Sequence, residues 1–166
     1  MTPAVGIFRP GMRAYFIPFI AGLVLAVSAF LPWVIVGGQP LAGVPDVWAL
    51  WIAGLGALAA VLAMLSLITR KNSRHPLLVI GLFALGIMSL SWRIMPRTAG
   101  ERALTISQAF SIVENAPMAT TPPAVVGVGI YLGLIAASVL VVFGLTIVVK
   151  RVATPYVAVS LDDDVD

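Results

Sequence analysis

Four long apolar stretches, divided by short turn-rich or basic connections, set the pattern of this chain. The first runs from Ala14 to Val36, 23 residues without a charged side chain, with Arg9 and Arg13 before it and Gly37-Gly38 after it. A helix rises about 1.5 Å per residue and a bilayer core is about 30 Å thick, so some 20 apolar residues suffice to cross. The second stretch is Val47 to Thr69, opened by Asp46 in the place of an N-cap. The third is Pro76 to Met95, with Pro76 in a first-turn position where its missing N–H costs nothing. The fourth is Val125 to Val149, closed by Lys150-Arg151. The pattern predicts an all-α integral membrane protein, four transmembrane helices in an antiparallel bundle. In the first span Pro18 falls in the opening turn, and Pro32 is expected to kink or end the helix early. A cleavable signal peptide ending near Val27-Ser28-Ala29 is the rival reading, but the apolar run is longer than such a segment.

The connections divide the chain into a head (1–13), a transmembrane domain (14–151) and a tail (152–166). Residues 37–46 hold three Gly and two Pro and read as turns. Residues 70–75 form a basic turn. These short links predict that spans one, two and three are antiparallel neighbours. Residues 96–124 form the one long loop. Within it Thr105–Asn115 predicts a short amphipathic helix, with Ile106, Ala109, Phe110 and Val113 on one face, lying in the headgroup layer or packed over the bundle's mouth. The tail carries strand-like Tyr156–Leu161, followed by Asp162, Asp163, Asp164 and Asp166.

Composition agrees with lipid as the main solvent. The chain is 60% hydrophobic and 10% charged, with mean hydropathy +1.06, against about 25% charged for a soluble domain. It has no cysteine and one histidine, His75. Thiol chemistry is excluded, and so is a pair of haem-ligating histidines within one copy. The ten Lys and Arg sit beside helix ends rather than in a patch, which is no nucleic-acid signature. Arg9, Arg13, Arg70, Lys71, Arg74, Lys150 and Arg151 fall on one side, against Arg93, Arg97 and Arg102 on the other. Seven against three predicts both termini in the cytoplasm of a bacterial inner-membrane protein.

Candidate chemistry is sparse. The spans have no mid-membrane carboxylate, which a proton-coupled carrier would need. No Ser/His/Asp set can be assembled, so no catalytic residue, metal or cofactor is expected and the chain does not read as an enzyme. All four Trp fall at the outer span ends: Trp33, Trp48, Trp51 and Trp92. They are expected to form an aromatic belt, or with Arg93 to contact a lipid or ligand at the outer interface. Small residues recur four apart at Gly129, Gly133 and Ala137, and at Ala53 and Ala57, as helix-packing candidates. These features predict a non-catalytic accessory subunit of a larger membrane complex of respiratory or photosynthetic type, contacting other subunits through helix four or the outer loop. The alternative is a homo-oligomeric transport or lipid- or quinone-binding protein that uses its Trp-rich outer end.

Overall fold

The computed structural model of the chain describes residues 13–69, 74–114 and 123–152. The head, the centre of the basic turn (70–73), residues 115–122 and the acidic tail lie outside the described residues. A 3-10 turn (Arg13–Tyr15) leads into α1 (Phe16–Ser28); strands β1 (Pro32–Val36) and β2 (Gln39–Ala42) follow. Next come α2 (Val47–Thr69), α3 (Arg74–Glu114), a short β3 (Ala124–Val126) and α4 (Val128–Val152). Helices α2, α3 and α4 are each long and apolar enough to cross a membrane. Their outward faces are covered with exposed Leu, Ile, Val and Phe, among them Leu58, Ile68, Phe83 and Ile135, the surface of a protein solvated by lipid.

The first predicted span is corrected. It is not one helix of 23 residues. Helix α1 has 13 residues, about 20 Å, and after a turn at residues 29–31 the apolar run continues as strand β1. Pro32 removes a helix hydrogen bond and clashes with the preceding turn, and the Trp-Val-Ile-Val run behind it prefers a pleated backbone. The fold is therefore not all-α. Strand β1 is the centre of a three-stranded antiparallel sheet ordered β2-β1-β3. Val36 pairs with Gln39 across Gly37-Gly38, and both glycines have positive φ, 55° and 83°. That is the two-residue hairpin turn whose twist suits paired strands. The register of β1 against β2 shifts between Pro32 and Val34, a bulge at Trp33 of the kind that re-aims a side chain.

The long loop is corrected too. Helix α3 does not end at Met95. It runs 41 residues through Pro96 to Glu114, about 61 Å. Residues 105–114 of the predicted amphipathic helix are its last turns, continuous with the span rather than a separate element of a loop; Asn115 lies outside the described residues. An interior proline costs about 3 kcal/mol. Here it is outweighed by packing, because α3 lies against β1 and β3 as well as α4. The returning chain enters the sheet as β3 and starts α4 at Val128 rather than Val125.

Helix neighbours also differ from the simple sequential order. Helix α1 lies between α2 and α4, and α3 packs chiefly on α4, while α2 and α3 touch only slightly. Between α1 and α2 the backbones meet at glycines. A Cβ on Gly22 would stand 2.6 Å from the Ala60 nitrogen, and one on Gly56 would stand 2.7 Å from the Gly22 oxygen. Contact this close lets small surfaces make up in dispersion what lipid cannot supply as a hydrophobic drive.

Candidate functional site

The sheet closes one end of the bundle, and Trp33 is its keystone. The bulge in β1 turns this side chain inward, where it is 1% exposed. Its Nε1–H donates to the Ser28 carbonyl at 2.9 Å. That carbonyl belongs to the last turn of α1, where helix oxygens lack helical partners. Backbone amides complete the closure: Gly43 donates to Leu31 O (3.1 Å), Val44 to Ala29 O (3.0 Å) and Gly127 to Trp33 O (2.7 Å). A Cβ on Gly43 or on Gly129 would stand 2.7 Å from the indole. Trp33 is thus core, not belt. From sequence Trp33 reads as the end of a helix; it is a strand residue turned into the bundle, and it also lines a cavity at this end.

The other predicted interface residues are scattered. Trp48, Trp51 and Trp92 are exposed, as is Arg93. Of these Trp48 alone joins Trp33 at a cavity of about 360 Å³ between the β1–β2 hairpin, the start of α2 and α3. Ligand pockets run from about 300 Å³ upward. The apolar part of the wall includes Leu41, Ile87, Leu90, Ile94 and Met95; the polar part is Asp46, Ser91, Thr98 and Arg102. Along α3 the lining recurs at Ile87, Ser91, Ile94, Thr98 and Arg102, one helical stripe that grades from apolar to cationic. Asp46 caps α2, its Oδ1 accepting the Trp48 N–H at 2.9 Å. Nothing in the local sequence pairs Asp46 with Ser91 or Arg102; the hairpin brings them to one cavity. Gly37-Gly38 between two apolar runs is the signal that would have found that hairpin.

The predicted packing residues are distributed as follows. Gly129, Gly133 and Ala137 are buried on α4. Gly129 faces Trp33 and Ser28, and Gly133 faces Met88 of α3 and Ser28 of α1. In α2, Ala53 is half-buried and Ala57 exposed; the small residues that meet α1 are Gly56 and Ala60, one helical face away.

The opposite end is closed by an aromatic cluster. Tyr15 and Phe143 meet edge to face, centroids 5.2 Å apart at 70°. The Arg74 guanidinium lies 5.5 Å from the Phe143 centroid and 6.0 Å from that of Tyr15, within cation–π range. Four buried polar side chains are found among the described residues, all serines: Ser28, Ser66, Ser91 and Ser111. Three of them donate to carbonyls of their own helix, at Leu25, Leu62 and Gln108. Among the described residues no three His, Asp or Glu side chains gather as a metal site. No family model, curated protein or solved structure matches the chain.

Proposed function

We propose that this chain is a non-catalytic subunit of a larger membrane assembly, docked through the end of α3. The observation that carries the reading is the apolar face that α3 holds beyond its membrane span. Ile106, Phe110 and Val113, on one side of the helix, are 58, 62 and 83% exposed. Arg93 and Arg97 mark the headgroup level. From Arg97, nine residues to Ile106 rise about 14 Å and sixteen to Val113 about 24 Å. The headgroup layer is only about 5–8 Å thick on each side. Lipid therefore does not reach this face, and bare water is a costly neighbour for it. A protein surface is the remaining solvent. Transport is the weaker reading, because three of the four buried hydroxyls are taken up by their own helices and an aromatic cluster closes the end opposite the sheet. The excess of Lys and Arg at that end supports an orientation with the sheet outside and both termini in the cytoplasm of a bacterial inner membrane.

Extraction of tagged protein from its native membrane in mild detergent, followed by native gel and mass spectrometry, tests the proposal. Stoichiometric co-migration with a larger complex, lost in a Phe110→Asp, Val113→Asp double variant that still folds, is the expected result. Migration as a monomer or as a homo-oligomer overturns it.

A further inference from the structure

The cavity at the sheet end carries a feature that the docking proposal does not use. Ser91 is 5% exposed and lines this cavity. Among the described residues it is the one buried serine whose hydroxyl makes no hydrogen bond, whereas Ser28, Ser66 and Ser111 each donate to a helix carbonyl; its oxygen is not sealed inside the protein but opens onto the cavity. The Thr98 hydroxyl one step higher is already committed, to Ile94 O at 3.3 Å and Met95 O at 3.1 Å. Ser91 is therefore a spare donor in an apolar wall, facing the cavity. At the mouth stand one cation and one anion, Arg102 and Asp46. Asp46 uses one carboxylate oxygen to cap α2 and keeps the other.

We propose that this cavity binds one phospholipid with a zwitterionic, primary-ammonium headgroup of the phosphatidylethanolamine type. Arg102 faces the phosphate and Asp46 the ammonium. Ser91 donates to an ester carbonyl, and the upper acyl chain lies against Ile87, Leu90 and Ile94. The geometry suits this class. From Ser91 to Thr98 the helix rises about 10 Å, and the Arg102 side chain slants back toward the N-terminus and so toward Thr98. The vertical spacing of donor and cation is then about 10 Å, somewhat more than the roughly 5–8 Å of one headgroup layer, a difference the long Arg102 side chain can take up. The seam between α2 and α3, where those helices touch only slightly, leaves room for the rest of the acyl chains to run into the bilayer. An isolated anionic headgroup would face Asp46 unpaired, and a quinone would use neither charge.

Native mass spectrometry of the purified full chain, titrated with dioleoyl phosphatidylethanolamine, dioleoyl phosphatidylglycerol, dioleoylglycerol or ubiquinone, tests the assignment. The wild type is expected to retain one phosphatidylethanolamine about tenfold more tightly than either other acyl lipid. Asp46→Asn keeps the cap, since Asn caps as well as Asp, and is expected to abolish the preference over phosphatidylglycerol. Arg102→Gln, an exposed and structurally safe change, is expected to abolish the preference over dioleoylglycerol. Ser91→Ala is expected to weaken all three acyl lipids about fivefold, the worth of one hydrogen bond. Loss of the headgroup preferences in the wild type, no change in the Asp46 and Arg102 variants, or displacement of the lipid by equimolar ubiquinone would each overturn the proposal. None of these outcomes bears on docking through α3.

Discussion

Gly54 and Gly56 stand two residues apart in α2, and the same substitution should have opposite consequences at the two. A Cβ at position 56 would meet Ala26 N most closely and would stand 2.7 Å from Gly22 O and 2.8 Å from Ala26 Cα, all backbone of α1. Ordinary contact begins near 3.4 Å, so α1 and α2 must part by at least about 0.7 Å. A gap of that size forfeits a quarter to a half of each dispersion contact it opens, and overpacking of this kind costs about 1–3 kcal/mol. At Gly54 nothing lies within 4 Å of the added carbon. There Gly→Ala only removes backbone freedom, which is neutral or stabilises by up to about 1 kcal/mol. Unfolding in mixed micelles of rising SDS content, followed by tryptophan fluorescence, measures both. Gly22→Ala meets the reciprocal contacts, 2.6 Å to Ala60 N and 2.9 Å to Gly56 O. Because one separation of the helices relieves both clashes, the Gly22→Ala, Gly56→Ala double variant should cost less than the sum of its parts. Equal costs at Gly54 and Gly56, or full additivity in the double variant, would refute the close-approach account.

Three further outcomes follow from the sheet end and from α3. Trp33→Ala should lose about 3–5 kcal/mol by opening a cavity under the sheet; Trp33→Phe should lose less, mainly the bond to the Ser28 carbonyl, and the same unfolding assay reads both. Gly38→Val should cost about 1–2 kcal/mol, because φ of +83° is strained for a residue with a Cβ, and it should raise hydrogen exchange at the β1–β2 amides. Phe110→Asp with Val113→Asp should leave the unfolding midpoint of the purified protein unchanged, since both side chains are mostly exposed, while removing the protein from any larger complex.

What could be read from the sequence depended on which residues state their own environment. Helix α2 emerged with the predicted ends, Val47 to Thr69, because Asp46 marks its start and a basic turn its end. The first span did not, because an unbroken apolar run is compatible with a buried helix or a buried strand; Pro32 and the β-branched residues after Trp33 were the deciding cues, together with Gly37-Gly38. Pro96 points in the other direction. Alone it argues for a helix end, yet α3 continues because β1 and β3 flank it on the far side, a tertiary fact invisible locally. The candidate cavity was half visible. Trp48 was singled out by position, but Ser91 looks like any helical serine until its neighbours are known, and Asp46 and Arg102 meet only through the hairpin.

Because the chain has no cysteine, single-cysteine variants report environment without background. The most direct measurement is labelling of Val113→Cys by a membrane-impermeant maleimide in native membranes, in liposomes of the purified protein, and in detergent. Docking through α3 predicts protection in native membranes and rapid labelling in both purified forms. Equal labelling in all three would contradict it by leaving this face in water, and protection that persists in liposomes would contradict it by assigning the face to lipid.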